Sequence, residues 1–307
     1  MGYPVVAVGA ANVDIHGFTE TGLVLKDSNP GSIETCLGGV SRNISENLVR
    51  LGVETTLISA LGDDAFGRQI REGCQQMGID LQHSVYVPNA TSSTYMAIMD
   101  ESGDMALALS DMRILDQLKV EHLQERKEVL EKARVIVADA GLTTQVMGWL
   151  VHQFPGKKII LDPVSIGKCR RMKSLTGKFY CIKMNRMEAG FLTGLSMDNR
   201  EDLEKAARRL MGMGVKKVYI TLGGEGVYYS REGEKGYMPA PKVKVVNATG
   251  AGDAFTAAVT YGERLDWSME KTARFAVGAA AVALASRHTV SEKMSLEEIE
   301  KHMKIGV

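Results

Sequence analysis

Asn247-Ala248-Thr249-Gly250-Ala251-Gly252-Asp253, followed at once by Ala254-Phe255-Thr256-Ala257-Ala258, is the stretch on which the reading of this chain turns. Small residues, two of them glycine, run into an acid that opens an apolar helix. Glycine lets backbone turn tightly and approach a ligand closely. The first turn of a helix presents unpaired N–H groups and a positive dipole end, which together attract a phosphate. A carboxylate beside that anion would repel it, unless it accepts a proton from an incoming hydroxyl. The physical reading is then phosphoryl transfer to an alcohol, with Asp253 beside the anion to take the hydroxyl proton. Equally, the stretch reads as a Gly-rich turn with Asp253 as a helix N-cap.

Working outward, strands alternate with helices. Val5 to Gly9 is an apolar run that suits a buried parallel strand. A helix runs from about Ser41 to Leu51 and ends at Gly52. Thr55 to Leu61 reads as one strand. Asp63 or Asp64 caps a helix with Phe66, Ile70 and Met77 on one side. Strands at Val135–Ala138, Lys158–Leu161, Phe179–Met184 and Val218–Leu222 are interleaved with helices at Thr143–Phe154 and Arg200–Met213. This rhythm implies βαβ units and a parallel sheet covered on both faces. Ala273 to Ser286 is too short and too small in side-chain volume to span a bilayer, so it reads as a buried helix. Glu121 to Lys132 reads as a solvated helix face.

Two segments break the rhythm. Ile15 to Cys36 is polar with a turn at Ser28-Asn29-Pro30-Gly31, and Gly22 to Pro30 could be a plain surface loop. Ser92 to Ser110 alternates about Ser102-Gly103 as a hairpin does. The expected class is α/β, a three-layer αβα body with a mostly parallel central sheet and a small β lid. The body comprises 1–14, 38–90 and 113–307, and the lid comprises 15–37 and 91–112.

Bulk composition narrows the function classes. The 307 residues suffice for one large α/β domain or two small ones, and carry 37 basic and 37 acidic side chains. Zero net charge gives no field toward nucleic acid or anionic lipid. Cys36, Cys74, Cys169 and Cys181 are scattered, with no metal-ligand spacing, and fit reduced cytosolic thiols. No signal peptide is read at the start, so the expected location is cytoplasmic, with neither nucleic-acid nor membrane partners. The six histidines are scattered and receive no chemistry.

Further polar groups fall at element ends. Asn12 and Asp14 follow the first strand, where the crevice of a parallel sheet lies, and suit sugar hydroxyls; an Asx turn is the plain alternative. Gly38-Gly39 opens a helix with Asn43 on its first turn. It is neither a dinucleotide fingerprint nor a Walker loop. Asn185 and Glu188 share a helix face and could hold a hydrated Mg²⁺ near a triphosphate, or simply cap the helix. Thr221, Gly223 and Gly226 could let a nucleotide lie close to backbone, or form a β-turn. In order along one chain, these turns fit together as a single site.

With Gly62-Asp63-x-x-Phe66-Gly67 added, the residues resemble the ribokinase-like (PfkB) carbohydrate kinases from Gly9 to Ala285. The resemblance implies MgATP as donor, Asp253 as catalytic base, and the N–H groups of Gly250, Ala251 and Gly252 as an anion hole. It maps Asn12, Asp14, Gly39 and Asn43 to the acceptor's ribose-like part. Asn185 and Glu188 map to the Mg²⁺–phosphate network, with the metal held indirectly through water, and Thr221, Gly223 and Gly226 to the ATP side. Within the family the chain looks most like the pseudouridine kinases. That likeness rests on Asp27-Ser28-Asn29-Pro30-Gly31, Ser110-Asp111-Met112, Leu161-Asp162-Pro163-Val164-Ser165 with Lys168, and Asn247-x-Thr249-Gly250. Most sugar kinases carry Asp where Asn247 stands, in a monovalent-cation site, so K⁺ activation is doubtful.

The reaction implied is ATP plus pseudouridine giving ADP and pseudouridine 5′-phosphate. Ser28, Thr94 and Asp111 of the lid could read base or ribose, or merely hold turns. Lys168 could reach the base or a phosphate, or remain solvated. A general kinase for ribose, fructose derivatives, uridine or adenosine is the rival enzyme, and a non-catalytic sugar or nucleoside sensor is the rival from another class. One apolar lid face, taken to include Tyr95, could cover its own site or pair with a second lid in a homodimer.

Overall fold

The computed structural model describes residues 4–20, 22–101 and 104–304. The chain opens with β1 (Val5–Val8), β2 (Asn12–Thr19), β3 (Gly31–Gly38) and α1 (Val40–Arg50). Next come β4 (Thr55–Ile58), β5 (Ala60–Gly62), α2 (Ala65–Met77), β6 (Val85–Val87), β7 (Thr94–Met99) and β8 (Met105–Asp111). The middle holds α3 (Val120–Glu125), α4 (Lys127–Lys132), β9 (Val135–Asp139), α5 (Thr144–Gln153), β10 (Lys158–Asp162), α6 (Ile166–Met172), β11 (Cys181–Asn185) and α7 (Arg186–Thr193). It ends with α8 (Arg200–Met213), β12 (Lys217–Thr221), β13 (Val227–Arg231), β14 (Glu234–Met238), α9 (Ala251–Arg264), α10 (Met269–Leu284) and α11 (Leu296–Lys304).

Eight strands form the main sheet in the order β14-β13-β12-β11-β10-β9-β1-β4. All neighbours are parallel from β4 to β12, and β13 and β14 add an antiparallel edge. Strand alternation sorts the core into two layers. Val6, Val8, Ile136, Ile182 and Val218 pack with Leu150 of α5, Met172 of α6 and Leu203 of α8. Val5, Ala7, Val137, Ile160 and Tyr219 pack on the other side with Ile44 of α1, Ile70 of α2, Phe255 of α9 and Phe275 of α10. Strands that are apolar over most of their length are what a sheet covered on both faces requires. Most of α10 is buried, as its Ala-rich composition suggested, and no helix among the described residues is long and apolar enough to cross a membrane.

The smaller sheet has the order β3-β2-β7-β8, with β2 and β7 parallel and the outer pairs antiparallel. The hairpin β7–β8 forms as the alternation indicated, although its tip at 102–103 lies outside the described residues. The polar stretch from Ile15 to Cys36 is largely two strands, with 22–30 as the loop between them. Its strand character was hidden because β3 is an edge strand whose residues Gly31 to Thr35 are exposed.

Three further expectations change. Thr55 to Leu61 is two strands: the Ser59 N–H turns to Ser84 Oγ at 3.1 Å, and β5 pairs with β6 instead of continuing the main sheet. Glu121 to Lys132 is covered by two short helices that meet at Arg126, whose guanidinium bonds the carbonyls of His83 and His122. Met77 is exposed, because α2 buries Gly67, Ile70 and Cys74.

Candidate active site

The polar groups singled out at strand ends gather along the carboxyl edge of the main sheet. Asp139 and Asp162 end β9 and β10 side by side, and Asn185 and Thr221 do the same on β11 and β12. Asp139 is fully buried and accepts from Ala10 N, Ser41 Oγ and Gly141 N, each at 2.7 Å. It thereby fixes the β1–β2 turn against the start of α1. A side chain at Gly9 is barred, since its Cβ would fall 2.1 Å from the Asp139 carboxylate.

Helix α9 begins at Gly250, whose φ of 85° lies in the left-handed region. A Cβ there would meet the Thr289 carbonyl at 1.9 Å, so only glycine fits this turn. Asn247 shapes the approach, accepting from Thr249 N at 2.9 Å and donating to Arg287 O at 3.1 Å. The helix has no side-chain cap, which leaves the N–H groups of its first turn without intrahelical acceptors. Asp253 is therefore not the N-cap. Its Oδ2 accepts instead from Asn43 Nδ2 at 2.7 Å, across 210 residues of sequence. This bond joins α1 to α9, and joins the Gly-Gly helix start to the Gly-rich turn. Gly39 lets α1 begin against the β1–β2 turn: its φ is 98°, and a Cβ would lie 2.5 Å from the Ala10 carbonyl.

Burial and the Asp162 carboxylate push the Asp253 carboxyl up to about 7, against the pull of Asn43, Lys183 and Arg42. That is where a general base working near neutrality should sit. Beneath it lies a group that the motifs did not identify. Lys183 Nζ donates to Asp162 Oδ2 at 3.1 Å, and Thr256 Oγ1 donates to the same oxygen at 2.7 Å. A Cβ on Gly252 would be 3.0 Å from Lys183 Nζ, so the ammonium lies directly against the first turn of α9. Burial opposes its charge, but Asp162, Asp253 and Glu188 outweigh it and hold Lys183 above the ordinary lysine range. Helix dipole, free N–H groups and a buried cation converge on one spot, an anion seat. The available sequence signal was an acid closing each of two apolar strands, at Asp139 and Asp162, and a lysine inside a third.

Asn12 and Asp14 are brought together, Asn12 Nδ2 donating to Asp14 Oδ1 at 2.5 Å. Burial raises the Asp14 carboxyl despite that bond. Thr94 and Asp111 are paired across β7 and β8, but by alternation they share the face of Val13, opposite that of Asp14. Arg113 grips Asp111 through side-chain bonds and holds its carboxyl down to about 2. Tyr95 and Ser110 lie on the Asp14 face. The exposed apolar residues Ile33, Met96, Leu107 and Leu109 lie on the other face, so the apolar face does not include Tyr95. Ser28 is exposed in the 22–30 loop, which Asn29 holds by bonds to Val24 and Asp27. Lys168 lies on α6, and its Nζ is 3.7 Å from where a Gly141 Cβ would be, above the end of β9.

On the other side of the Gly-rich turn, Thr221, Gly223 and Gly226 line a cavity of about 540 Å³ with Ala251 and Gly252. Its apolar wall comes from Val243, Val245, Phe255, Val277, Ala281 and Leu284. A largely apolar cavity bordered by the first turn of α9 has the size and chemistry for a nucleotide. Gly226 also has a local reason, since a Cβ would strike the Met238 carbonyl at 2.0 Å. Asn185 and Glu188 form a reciprocal cap on α7: Asn185 N to Glu188 Oε2 is 2.8 Å, and Glu188 N to Asn185 Oδ1 is 2.9 Å. Burial raises the Glu188 carboxyl. Among the described residues no cluster of three or more His, Cys, Asp or Glu could hold a metal by itself.

The chain matches the pattern of the pfkB family carbohydrate kinases over residues 4–295. It is 34% identical to the pseudouridine kinase of Escherichia coli over 296 residues, covering 96% of this chain and 95% of that one. A crystal structure from Clostridium perfringens superposes with a TM-score of 0.88 at 34% identity, over 99% of this chain and 96% of the other. Ribokinase of Arabidopsis thaliana, solved with ribose and ATP, superposes with a TM-score of 0.85 over 99% of both chains, and at 23% identity it shows the shared ribokinase-like fold. The chain belongs to the pfkB family of carbohydrate kinases.

Proposed function

We propose that this kinase transfers the γ-phosphoryl group of ATP to the 5′-hydroxyl of pseudouridine. The observation that carries phosphoryl transfer is the Asn43–Asp253 bond beside the open first turn of α9. Asn43 occupies Oδ2 and leaves Oδ1 to accept the hydroxyl proton. As the acceptor oxygen bonds to the γ-phosphorus, the bond to the β–γ bridging oxygen breaks, ADP leaves, and the proton rests on Asp253. The N–H groups of Gly250, Ala251 and Gly252, with Lys183 behind them, stabilise the equatorial oxygens. Positioning and electrostatics supply most of the rate.

Asn12, Asp14, Gly39 and Asn43 hold the ribose in this reading. Residues 15–37 and 91–112 serve as a lid on a body of 1–14, 38–90 and 113–307, closing to exclude water as a competing acceptor. Ser28 and Lys168 read the base once the lid has closed, whereas Thr94 and Asp111, on the sheet face opposite Asp14, do not turn toward it. Thr221, Gly223 and Gly226 border the adenosine part of ATP. Asn185 and Glu188 suit a metal that arrives with the nucleotide, since one exposed amide and one capping carboxylate leave room for water ligands. Mg²⁺ so bound brings positive charge to the phosphate oxygens. K⁺ activation stays doubtful, because the Asn247 amide is engaged with Thr249 and Arg287. The outer apolar face of the small sheet suits a second copy of the chain.

The pseudouridine assignment draws its support from the 34% identity to a pseudouridine kinase. ADP release measured with pseudouridine, uridine, adenosine, ribose and fructose derivatives tests it. A kcat/KM for pseudouridine at least tenfold above the others is expected. Equal or better use of ribose overturns the substrate. Stoichiometric nucleoside binding with no ADP release from any acceptor would leave a sensor.

A further inference from the structure

Arg42 breaks a local rule. It stands in the first turn of α1, three residues after the N-cap Gly39, where the helix dipole favours an anion, and it is 3% exposed. A charge placed against the dipole and out of water needs a reason, and such conflicts gather at functional positions. Its guanidinium is shared among four partners. Nε donates to Gly38 O at 3.1 Å and Nη2 to Leu37 O at 2.9 Å, both carbonyls at the end of β3. Nη1 donates to Glu46 Oε2 at 2.5 Å, and Nη2 also donates to Asn43 Oδ1. Arg50 holds the other oxygen of Glu46 at 2.8 Å, so the fork is braced from behind.

The bond to Asn43 matters most. A carboxamide can face a neighbour with its oxygen or with its NH₂. If Asn43 turned its oxygen toward Asp253, it would favour the protonated acid, which cannot act as a base. Arg42 has only donors, so it claims the oxygen and leaves the NH₂ for Asp253. We propose that Arg42 is a positioning residue that fixes the orientation of the Asn43 amide and links the end of β3 to the Asp253 carboxylate. With its guanidinium buried and spent on these four partners, it is placed to act through Asn43 and not on a ligand. The charges near Asp253 are Asp162 on β10, Lys183 on β11 and Arg42 on α1, and Arg42 itself faces Asp14, Cys36, Glu46 and Cys74 of α2. Arg42 therefore favours the ionised base both by its own charge and by the bond it directs. This inference rests on the proposed kinase reading, with Asp253 as base.

The test pairs Arg42→Met with Arg42→Lys. Methionine fits a buried site and leaves Glu46 paired with Arg50, so the variant should fold; lysine keeps the charge but cannot fork. The titration of Asp253 is followed by carbon NMR of its carboxyl, assigned with Asp253→Asn. Its midpoint should rise in both variants, by roughly half a unit or more in Arg42→Met and by less in Arg42→Lys. The KM for the acceptor should rise about tenfold in both, as expected for one lost charge-assisted bond, while ADP affinity stays within about twofold. An unchanged midpoint in either folded variant overturns the proposal. Should the wild-type protein phosphorylate no acceptor, the kinase reading fails, and the titration still decides the role of Arg42.

Discussion

A carboxyl held near neutrality by burial should weaken the fold as it ionises, and Asp253→Asn exposes this. The carboxyl stands at about 7 in the folded chain and at its ordinary 3.8 when unfolded. Between those values the native state binds the extra proton, so stability falls as pH rises and levels off above 7. From pH 5 to pH 8 the linkage integral comes to about 2–3 kcal/mol, somewhat less where water reaches the carboxylate. Asparagine is neutral throughout and can still accept from Asn43 through its oxygen. Its stability should therefore lack this loss. The two proteins should match only below about pH 4, where the unfolded carboxyl is protonated too, and the variant's advantage should grow by about 2–3 kcal/mol from pH 5 to pH 8, or roughly 4 °C in Tm for a chain of this length. Urea unfolding at pH 5, 6, 7 and 8 measures the gap. The same variant should lose at least about 10²-fold in kcat. A gap that does not vary with pH would refute the reasoning, because Asp253 would then be ionised across the whole range.

Gly250→Ala places a Cβ 1.9 Å from the Thr289 carbonyl at a left-handed φ, and should cost roughly 2–4 kcal/mol in urea unfolding while weakening ADP binding. Lys183→Met leaves the buried Asp162 carboxylate with no cation, only the Thr256 hydroxyl and the Val164 N–H, and should cost about 3–5 kcal/mol; adding Asp162→Asn should recover much of that, which a double-mutant cycle checks. Leu109→Glu, at a residue 65% exposed on the outer face of the small sheet, should turn a dimer into a monomer in sedimentation equilibrium, without loss of fold.

The sequence spoke most clearly where a local rule acts on consecutive residues. Helix α8 begins and ends at Arg200 and Met213 as read, because Asn199 caps it and Gly214 stops it. The carboxyl-edge motifs stood out through their order along the chain, because each alone reads equally as a turn or a helix cap. Buried ion pairs leave no such trace. Lys183 looks like any strand residue until the fold places Asp162 and Thr256 around it, and Arg42 looks like a surface arginine on a helix. Strands β2 and β3 were obscured because their polar residues face outward on a thin sheet, and the side of the apolar patch depended on a register that periodicity alone does not set.

Helix α9 is clamped at its far end. Ten residues after Asp253, about 15 Å along the axis, Glu263 is fully buried and receives Lys217 Nζ at 2.6 Å and the Tyr180 hydroxyl at 3.2 Å. The rod that carries Asp253 is thus anchored in the floor of the body. In the proposed reaction the smaller sheet is then the part that swings, and slow steps should answer to changes in the loops that hinge that sheet and stay indifferent to softening of the rod.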